Sequence, residues 1–394
     1  MVQSAAQEQA EPRVTTINAL LHTSRAALLA DAAQAAGLPN ALYTDPAALA
    51  LERPRIFHAN WLAVGHAADL PNPGDQVPVT AAGLPIVLVR GRDGALRAFH
   101  NVCGHRGLKL VDMPCRGKPT LLCPYHGWAY DLTGALRATP DFGGYGQRTA
   151  PGFNPAAHAL RPVPLAEAFG GLLFVNLSGT APPFVDWAAP LLERWRAYDF
   201  ATLRHAASET CTVAANWKLV AENFCDTLHL DWVHPQVVGY SKPEDHFDIF
   251  AAPAYGTGSY NVLSPDPRAH AFTPFPNLPP ELVNRGEFIF LYPGVLIFLL
   301  PNQVFSIILD PLSPDCTGER LDFAFTETPD TEAAATARAW WIEGWRHLNQ
   351  QDFGVLRRLQ EGRASPAFNG GCFSAAMDAV PLAVQRRVAE DLLA

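Results

Sequence analysis

The sequence predicts an α+β protein of two domains, a small all-β one set into a larger mixed one. Three observations carry this. A chain of 394 residues is long enough to build two cores. Short β-rich runs broken by turn residues fill the stretch from Trp61 to Val175, with helical patterns on both sides. Strand-like runs between Phe288 and Phe325 then give way to one long helical pattern.

Taken in order, residues up to about Pro12 read as a polar tail, and Thr16 to about Ala36 as a helix that Gly37-Leu38-Pro39 stops. Runs such as Ile86-Val87-Leu88-Val89 and Leu172-Leu173-Phe174-Val175 alternate with turns at Asn72-Pro73-Gly74-Asp75 and Arg92-Asp93-Gly94. They place the β domain at 50–178, leaving 1–49 and 179–394 to the second domain. After Pro182-Pro183, Asn216 to about His229 reads as a helix. The strand-like runs from Phe288 to Phe325 are split at Pro293-Gly294, Pro301-Asn302 and Pro311. A helix from about Thr331 to Gln360 ends at Gly362.

Hydrophobic residues at 48% and charged residues at 17% place the chain among ordinary globular proteins. Its 29 Gly and 35 Pro fall short of a low-complexity composition. A formal charge of −9 supplies no field for phosphate backbones, so nucleic acid is not an expected partner. The N-terminus lacks a basic segment followed by an apolar one. The most apolar run, Phe288–Leu300, is interrupted by Pro293-Gly294 and is too short to span a bilayer. Seven Cys, an odd count, point to reduced thiols or metal ligands rather than a disulfide framework. The expectation is a cytoplasmic protein with no membrane attachment.

Two constellations carry chemistry. The first is Cys103-Gly104-His105-Arg106-Gly107 followed, after 17 residues from His105, by Cys123-Pro124-Tyr125-His126-Gly127-Trp128. Each half is a short Gly- or Pro-containing loop after a strand-like run. Two thiolates and two imidazoles suit a tetrahedral structural zinc, or a 2Fe–2S centre with Cys on one iron and His on the other. Spacing alone leaves both open. Gly104, Gly107 and Gly127 weigh toward the cluster, because they free backbone N–H groups to approach the sulfurs.

The second is Glu222-Asn223-Phe224-Cys225-Asp226-Thr227-Leu228-His229, opened by Asn216-Trp217-Lys218. On a continuous helix Glu222, Asp226 and His229 share one face. Pro235 disfavours helical backbone at His234, so the helix ends between the two His and the imidazoles can converge. Further on, Asp352 falls inside the apolar stripe of Trp341, Trp345, Leu348, Val355, Leu356 and Leu359. A carboxylate on such a face calls for a compensating cation. Glu343 and Glu361 lie off the stripe and read as solvated. Two His and one carboxylate with open positions are what an iron(II) oxygenase site uses.

These motifs, C-x-H-R-G, C-P-Y-H-G-W, N-W-K and Gln360-Glu361-Gly362-Arg363-Ala364-Ser365 past Asp352, resemble the Rieske non-haem iron oxygenases, large terminal oxygenase subunit. The resemblance runs from Tyr43-Thr44-Asp45-Pro46 to about Ser365. It is to the oxygenase branch, since Cys115 stands alone between the loops without the bracing disulfide of respiratory-chain members. It implies an all-β Rieske domain inserted in a catalytic domain whose antiparallel sheet wraps a long helix (helix-grip type). Cys103, His105, Cys123 and His126 would hold the 2Fe–2S cluster, and His229, His234 and Asp352 a mononuclear Fe(II). Asp226 would bridge to a cluster imidazole, that of His126, in a neighbouring subunit of a homotrimer. Substrate and O2 would meet at the iron, with electrons arriving from a separate NAD(P)H-dependent reductase or ferredoxin. Two departures bear on the substrate, which is aromatic or quaternary ammonium by resemblance. Leu228 stands where many ring-dihydroxylating members have Tyr, and Asp226 where quaternary-ammonium members often carry Glu. The rivals are an electron carrier using the cluster alone and a zinc-stabilised binding protein.

The remaining Cys211, Cys225, Cys316 and Cys372 read as small core residues. So do His58, His66, His100, His158, His205, His246, His270 and His347 as ordinary histidines. Gly256-Thr257-Gly258 lacks the third Gly of a dinucleotide loop.

Overall fold

Alternating apolar residues and Gly-closed turns pair neighbouring runs into antiparallel hairpins throughout this chain. The computed structural model describes residues 2–326 and 331–394 and divides into two units, Ala59–Ala181 and Met1–His58 with Pro182–Ala394. The first division falls later than residue 50 because Pro46–Glu52 is helical. The turn after it buries Ile56 and Phe57, and Phe57 packs edge-on against Trp217 of the larger unit.

Unit Ala59–Ala181 holds three small sheets. One orders Gln76–Ala81, Leu84–Arg90, Leu96–His100 and Pro162–Val163; another joins Thr120–Leu122, Ala129–Asp131 and Leu136–Ala138. Their inward residues, including Val87, Phe99, Leu121, Trp128 and Tyr130, share one core with Cys103 and Cys123. The metal-type loops therefore stand on packed strands rather than on free tips.

The larger unit is a seven-stranded antiparallel sheet: β1 (Leu203–Val213), β2 (His246–Ala251), β3 (Ala254–Ser259), β4 (Gly286–Leu291), β5 (Val295–Leu300), β6 (Gln303–Ser313) and β7 (Cys316–Thr326). Its order is β1-β7-β6-β5-β4-β3-β2. Pro311 lies within β6 beside a register shift instead of splitting it, the place a proline is tolerated. Gly256 and Gly258 belong to β3. A Cβ at Gly256 would meet the Phe288 carbonyl of β4, so this Gly serves close strand approach.

Helix α1 (Val2–Leu28) starts well before Thr16. The Ala- and Gln-rich stretch that reads as a tail has high helix propensity, and the helix stops short of Ala36. Helix α2 (Trp217–Cys225) and the long α3 (Glu332–Gly362) lie on one face of the sheet. There Phe224, Phe298, Phe305 and Trp345 meet ring to ring. Helix α3 is capped by Thr331, whose hydroxyl accepts from the Ala334 N–H, and buries Ala334, Ala337, Trp341, Trp345 and Leu356. Leu359, read as part of that stripe, is exposed. Helix α4 (Ala379–Leu393) packs against α1 and α2. Among the described residues no helix is long and apolar enough to cross a membrane.

Candidate metal centres

The two loops of the smaller unit close in the same way. The Cys103 and Cys123 N–H groups donate to the Leu108 and Trp128 carbonyls, both at 2.8 Å. Gly107 and Gly127 donate back to the two Cys carbonyls at 3.0 and 3.1 Å. Both glycines sit at positive φ, 76° and 69°, which closes each turn at no steric cost. Their N–H groups therefore do not reach the sulfurs, and Gly104 N–H goes to the Tyr130 hydroxyl at 2.9 Å. The groups around the sulfurs are others: the Tyr130 hydroxyl lies 3.3 Å from Cys103 Sγ. Burial pushes the Cys123 thiol up, against the pull of the Tyr125 and His126 N–H groups.

His105 and His126 face each other with ring centroids 4.7 Å apart, and His105 stacks on Trp128. The Nδ1 atoms of both are buried without a protein partner, while the two Cys are buried beside them. Buried imidazole nitrogens left unpaired are costly unless a ligand takes them. Two thiols and two orphaned nitrogens fit a cluster with mixed Cys and His ligation. Cys115 lies apart, its thiol on the Met113 carbonyl.

In the larger unit the helix expected to run through His229 ends at Cys225. Asp226 takes extended backbone, and its Oδ1 accepts from the Leu228 N–H at 2.8 Å, an Asx turn that competes with the next helical turn. Glu222 therefore does not share a face with Asp226 and His229. It is half-buried on the other side of α2, with the Tyr43 hydroxyl at 2.6 Å and Arg363 at 3.8 Å. His229 and His234 instead flank a short helical turn, Leu230–Val233, and His234 has the non-helical backbone that Pro235 imposes.

Across from them α3 brings Asp352, and one ligand atom from each of His229, His234 and Asp352 lies within 4.8 Å of the others. His229 Nδ1 donates to Asp226 Oδ2 at 3.2 Å, and His234 Nδ1 donates to Gln351 Oε1 at 2.9 Å. Gln236 also donates to that Gln351 oxygen, fixing its orientation. Both imidazoles thus turn Nε2 toward Asp352 Oδ1, at 3.8 and 3.1 Å. Partners on Nδ1 that leave both Nε2 atoms facing one carboxylate are what orient histidines toward a metal. The donor set fits ferrous iron with positions left open.

The triad borders a cavity of about 350 Å³ between α2, α3 and the sheet. Phe288, Leu296, Phe298 and Leu300, from the most apolar run of the chain, are part of its wall. So are His246 and His347, read as ordinary histidines, and Glu319. His246 stacks on Phe288 and contacts the Ser241 hydroxyl at 3.1 Å; burial holds its imidazole down at about 4. Gln351 was detectable as the neighbour of Asp352, but its role depends on a contact 117 residues away. Of the four remaining cysteines only Cys225 is buried; Cys211 and Cys316 are half-buried and Cys372 is exposed.

Residues 60–150 match the Rieske 2Fe-2S domain family, and residues 200–393 the ring hydroxylating alpha subunit (catalytic domain) family. The glycine betaine monooxygenase oxygenase subunit of Chromohalobacter salexigens is 37% identical over 219 residues, which are 55% of this chain and 48% of that protein. The chain thus spans about half the length of the glycine betaine relatives it matches. The carnitine monooxygenase oxygenase subunit of Escherichia coli is 28% identical over 84% of this chain and 86% of its own. Among solved structures, a quaternary ammonium Rieske monooxygenase superposes with a TM-score of 0.76 at 23% identity, covering 91% of this chain and 95% of that one. Naphthalene 1,2-dioxygenase from Rhodococcus sp. gives 0.75 at 20%, covering 95% and 98%. With a Rieske 2Fe–2S domain followed by the catalytic domain of a ring-hydroxylating alpha subunit, this chain belongs to the Rieske non-haem iron oxygenases.

Proposed function

We propose that the chain is the terminal oxygenase of a multicomponent system. It takes electrons from a separate NAD(P)H-dependent reductase or ferredoxin and uses O2 to hydroxylate or oxidatively demethylate a small organic substrate. The observation that carries this reading is the convergence of His229, His234 and Asp352 on the wall of a largely apolar cavity. An electron carrier has no use for a second metal site opening into such a space.

In this reading Cys103, His105, Cys123 and His126 hold the cluster within 50–178, and the remainder of the chain holds the iron. When bound, the cluster supplies single electrons and the ferrous ion supplies the site of O2 reduction. The chain does the rest. Asp226 and Gln351 fix the tautomers of the two histidines, and the aromatic cavity excludes water and holds the substrate near Asp352. Asp226 also bridges to His126 of a neighbouring subunit in a homotrimer. Each end of that path is accessible in its own unit: the Asp226 side chain is 27% exposed, and His126 lies beside the exposed Tyr125. Seven cysteines with no disulfide among the described residues fit a cytoplasmic setting.

Metal analysis tests the reading. The purified chain is red-brown with about three irons per chain. Asp352→Ala keeps the colour, falls to about two irons and loses turnover. A wild-type chain with about two irons that resists ferrous loading is an electron carrier, and a colourless zinc protein overturns both.

A further inference from the structure

Every second residue of β7 points at the helices: Leu321 and Phe323 sit opposite Ile307 and Phe305 of β6 and continue the apolar surface. Glu319 occupies the next position in that row, where the alternation calls for an apolar side chain. It is 3% exposed and forms part of the cavity wall. Its hydrogen-bond partners are neutral: Asn349 Nδ2 donates at 2.7 Å and the Cys211 thiol lies at 3.5 Å. Among the described residues no lysine, arginine or histidine pairs with it. Burial therefore pushes its carboxyl up, and the nearby Asp352 charge adds to this. The two other carboxylates of the cavity do have partners: Asp226 has His229, and Asp352 has both imidazoles.

The rest of the lining points the same way. Aromatic side chains, among them Phe224, Phe298, Trp341 and Trp345, line it, and among the described residues neither a lysine nor an arginine does. Apart from the ferrous ion that the triad would hold, a carboxylate-bearing ligand would meet buried acids and no lysine or arginine, a combination that desolvation makes costly. A positive head among aromatic rings is favoured by the ring quadrupoles, and more so beside an uncompensated acid.

Building on the proposed oxygenase reading, we propose that the substrate is an organic cation carrying no carboxylate, and that Glu319 is the residue that selects it by countering its charge. This sets the chain apart from its carnitine and glycine betaine relatives, whose named substrates are zwitterions with an acid group. Glu319 acts here as a specificity-determining residue, and the iron ligands remain those of the triad.

The test is calorimetric titration of the iron-loaded protein with three probes: benzyltrimethylammonium, its uncharged isostere neopentylbenzene, and glycine betaine. The expected result is that the cation binds about tenfold or more tighter than either of the others, the size of a cation–π contact strengthened by a buried acid. Glu319→Gln removes the gap between cation and isostere. Equal or tighter binding of neopentylbenzene marks a cavity for neutral arenes and overturns the proposal, as does tight binding of glycine betaine. Should Glu319→Gln not fold, the three wild-type affinities still decide. A chain with about three irons that prefers the isostere fails here alone. A chain lacking the mononuclear iron fails at the oxygenase reading.

Discussion

Asp226 divides its two oxygens between two tasks. Oδ1 accepts from the Leu228 N–H and turns the chain, while Oδ2 accepts from His229 Nδ1 and sets that imidazole's tautomer. Asp226→Asn keeps a carbonyl oxygen for the turn but offers an amide N–H to His229, so two donors face each other. The expected outcome is a folded protein that retains both metal centres and loses turnover by about 10–100-fold or more, read by iron content, cluster spectrum and substrate-dependent O2 uptake. Normal turnover would remove Asp226 from the electron path. The four Cys and His of the loops were legible because their contacts are local. The same holds for His229 and His234, whose bend follows from Pro235. Asp352 was legible through periodicity alone. Glu319 and Tyr130 were not, since an acid in a strand and a tyrosine in a hairpin gain meaning only from what lies across the fold.

Helix α2 is held by charges rather than by apolar contact alone. Lys218, fully buried, bonds to Glu52, which also accepts from Trp217 Nε1 at 2.8 Å. On the same helix Glu222 takes the Tyr43 hydroxyl, and Arg363 lies 4.0 Å over the Tyr43 ring. Removing one member strands its partner in a dry site. Glu52→Gln is expected to cost about 3–5 kcal/mol in denaturant unfolding, while Glu52→Gln combined with Lys218→Met recovers most of that loss. If the single variant is as stable as wild type, the pair does not anchor α2. The network also explains why the helix boundary was misjudged from sequence. Periodicity placed Glu222 with the site residues, whereas pairing with Tyr43, far upstream, draws it to the opposite side. Element types were readable from local pattern, and their ends were decided by such distant partners and by the Asx turn.

At the level of the assembly, the two metal-type sites belong to separate units, and the proposed path joins units of different chains. Co-expression of two differently tagged subunits tests this. Cys103→Ser disables one type and Asp352→Ala the other, so an assembly of either type alone is inactive. A mixed assembly purified through both tags is expected to regain turnover, because an intact cluster in one subunit serves an intact iron site in its neighbour. An inactive mixture with correct iron content would place the transfer within a single chain. The domain order was readable from where hairpin signals start and stop, although the sequence reading put the first boundary at residue 50 and the structure divides at Ala59. Subunit contacts leave no comparable periodic trace.

Gln351 and Asp352 are consecutive on a helix of 31 residues, one steering His234 and the other facing it. Successive positions on such a rod differ by about 100° of rotation, so a small roll misaligns both at once. Trp341 and Trp345, which border the cavity, lie on the same rod about two to three turns earlier. The long helix therefore ties the indole wall of the chamber to the carboxylate facing the two imidazoles, and any rotation of the shaft at Trp341 and Trp345 would also displace Asp352.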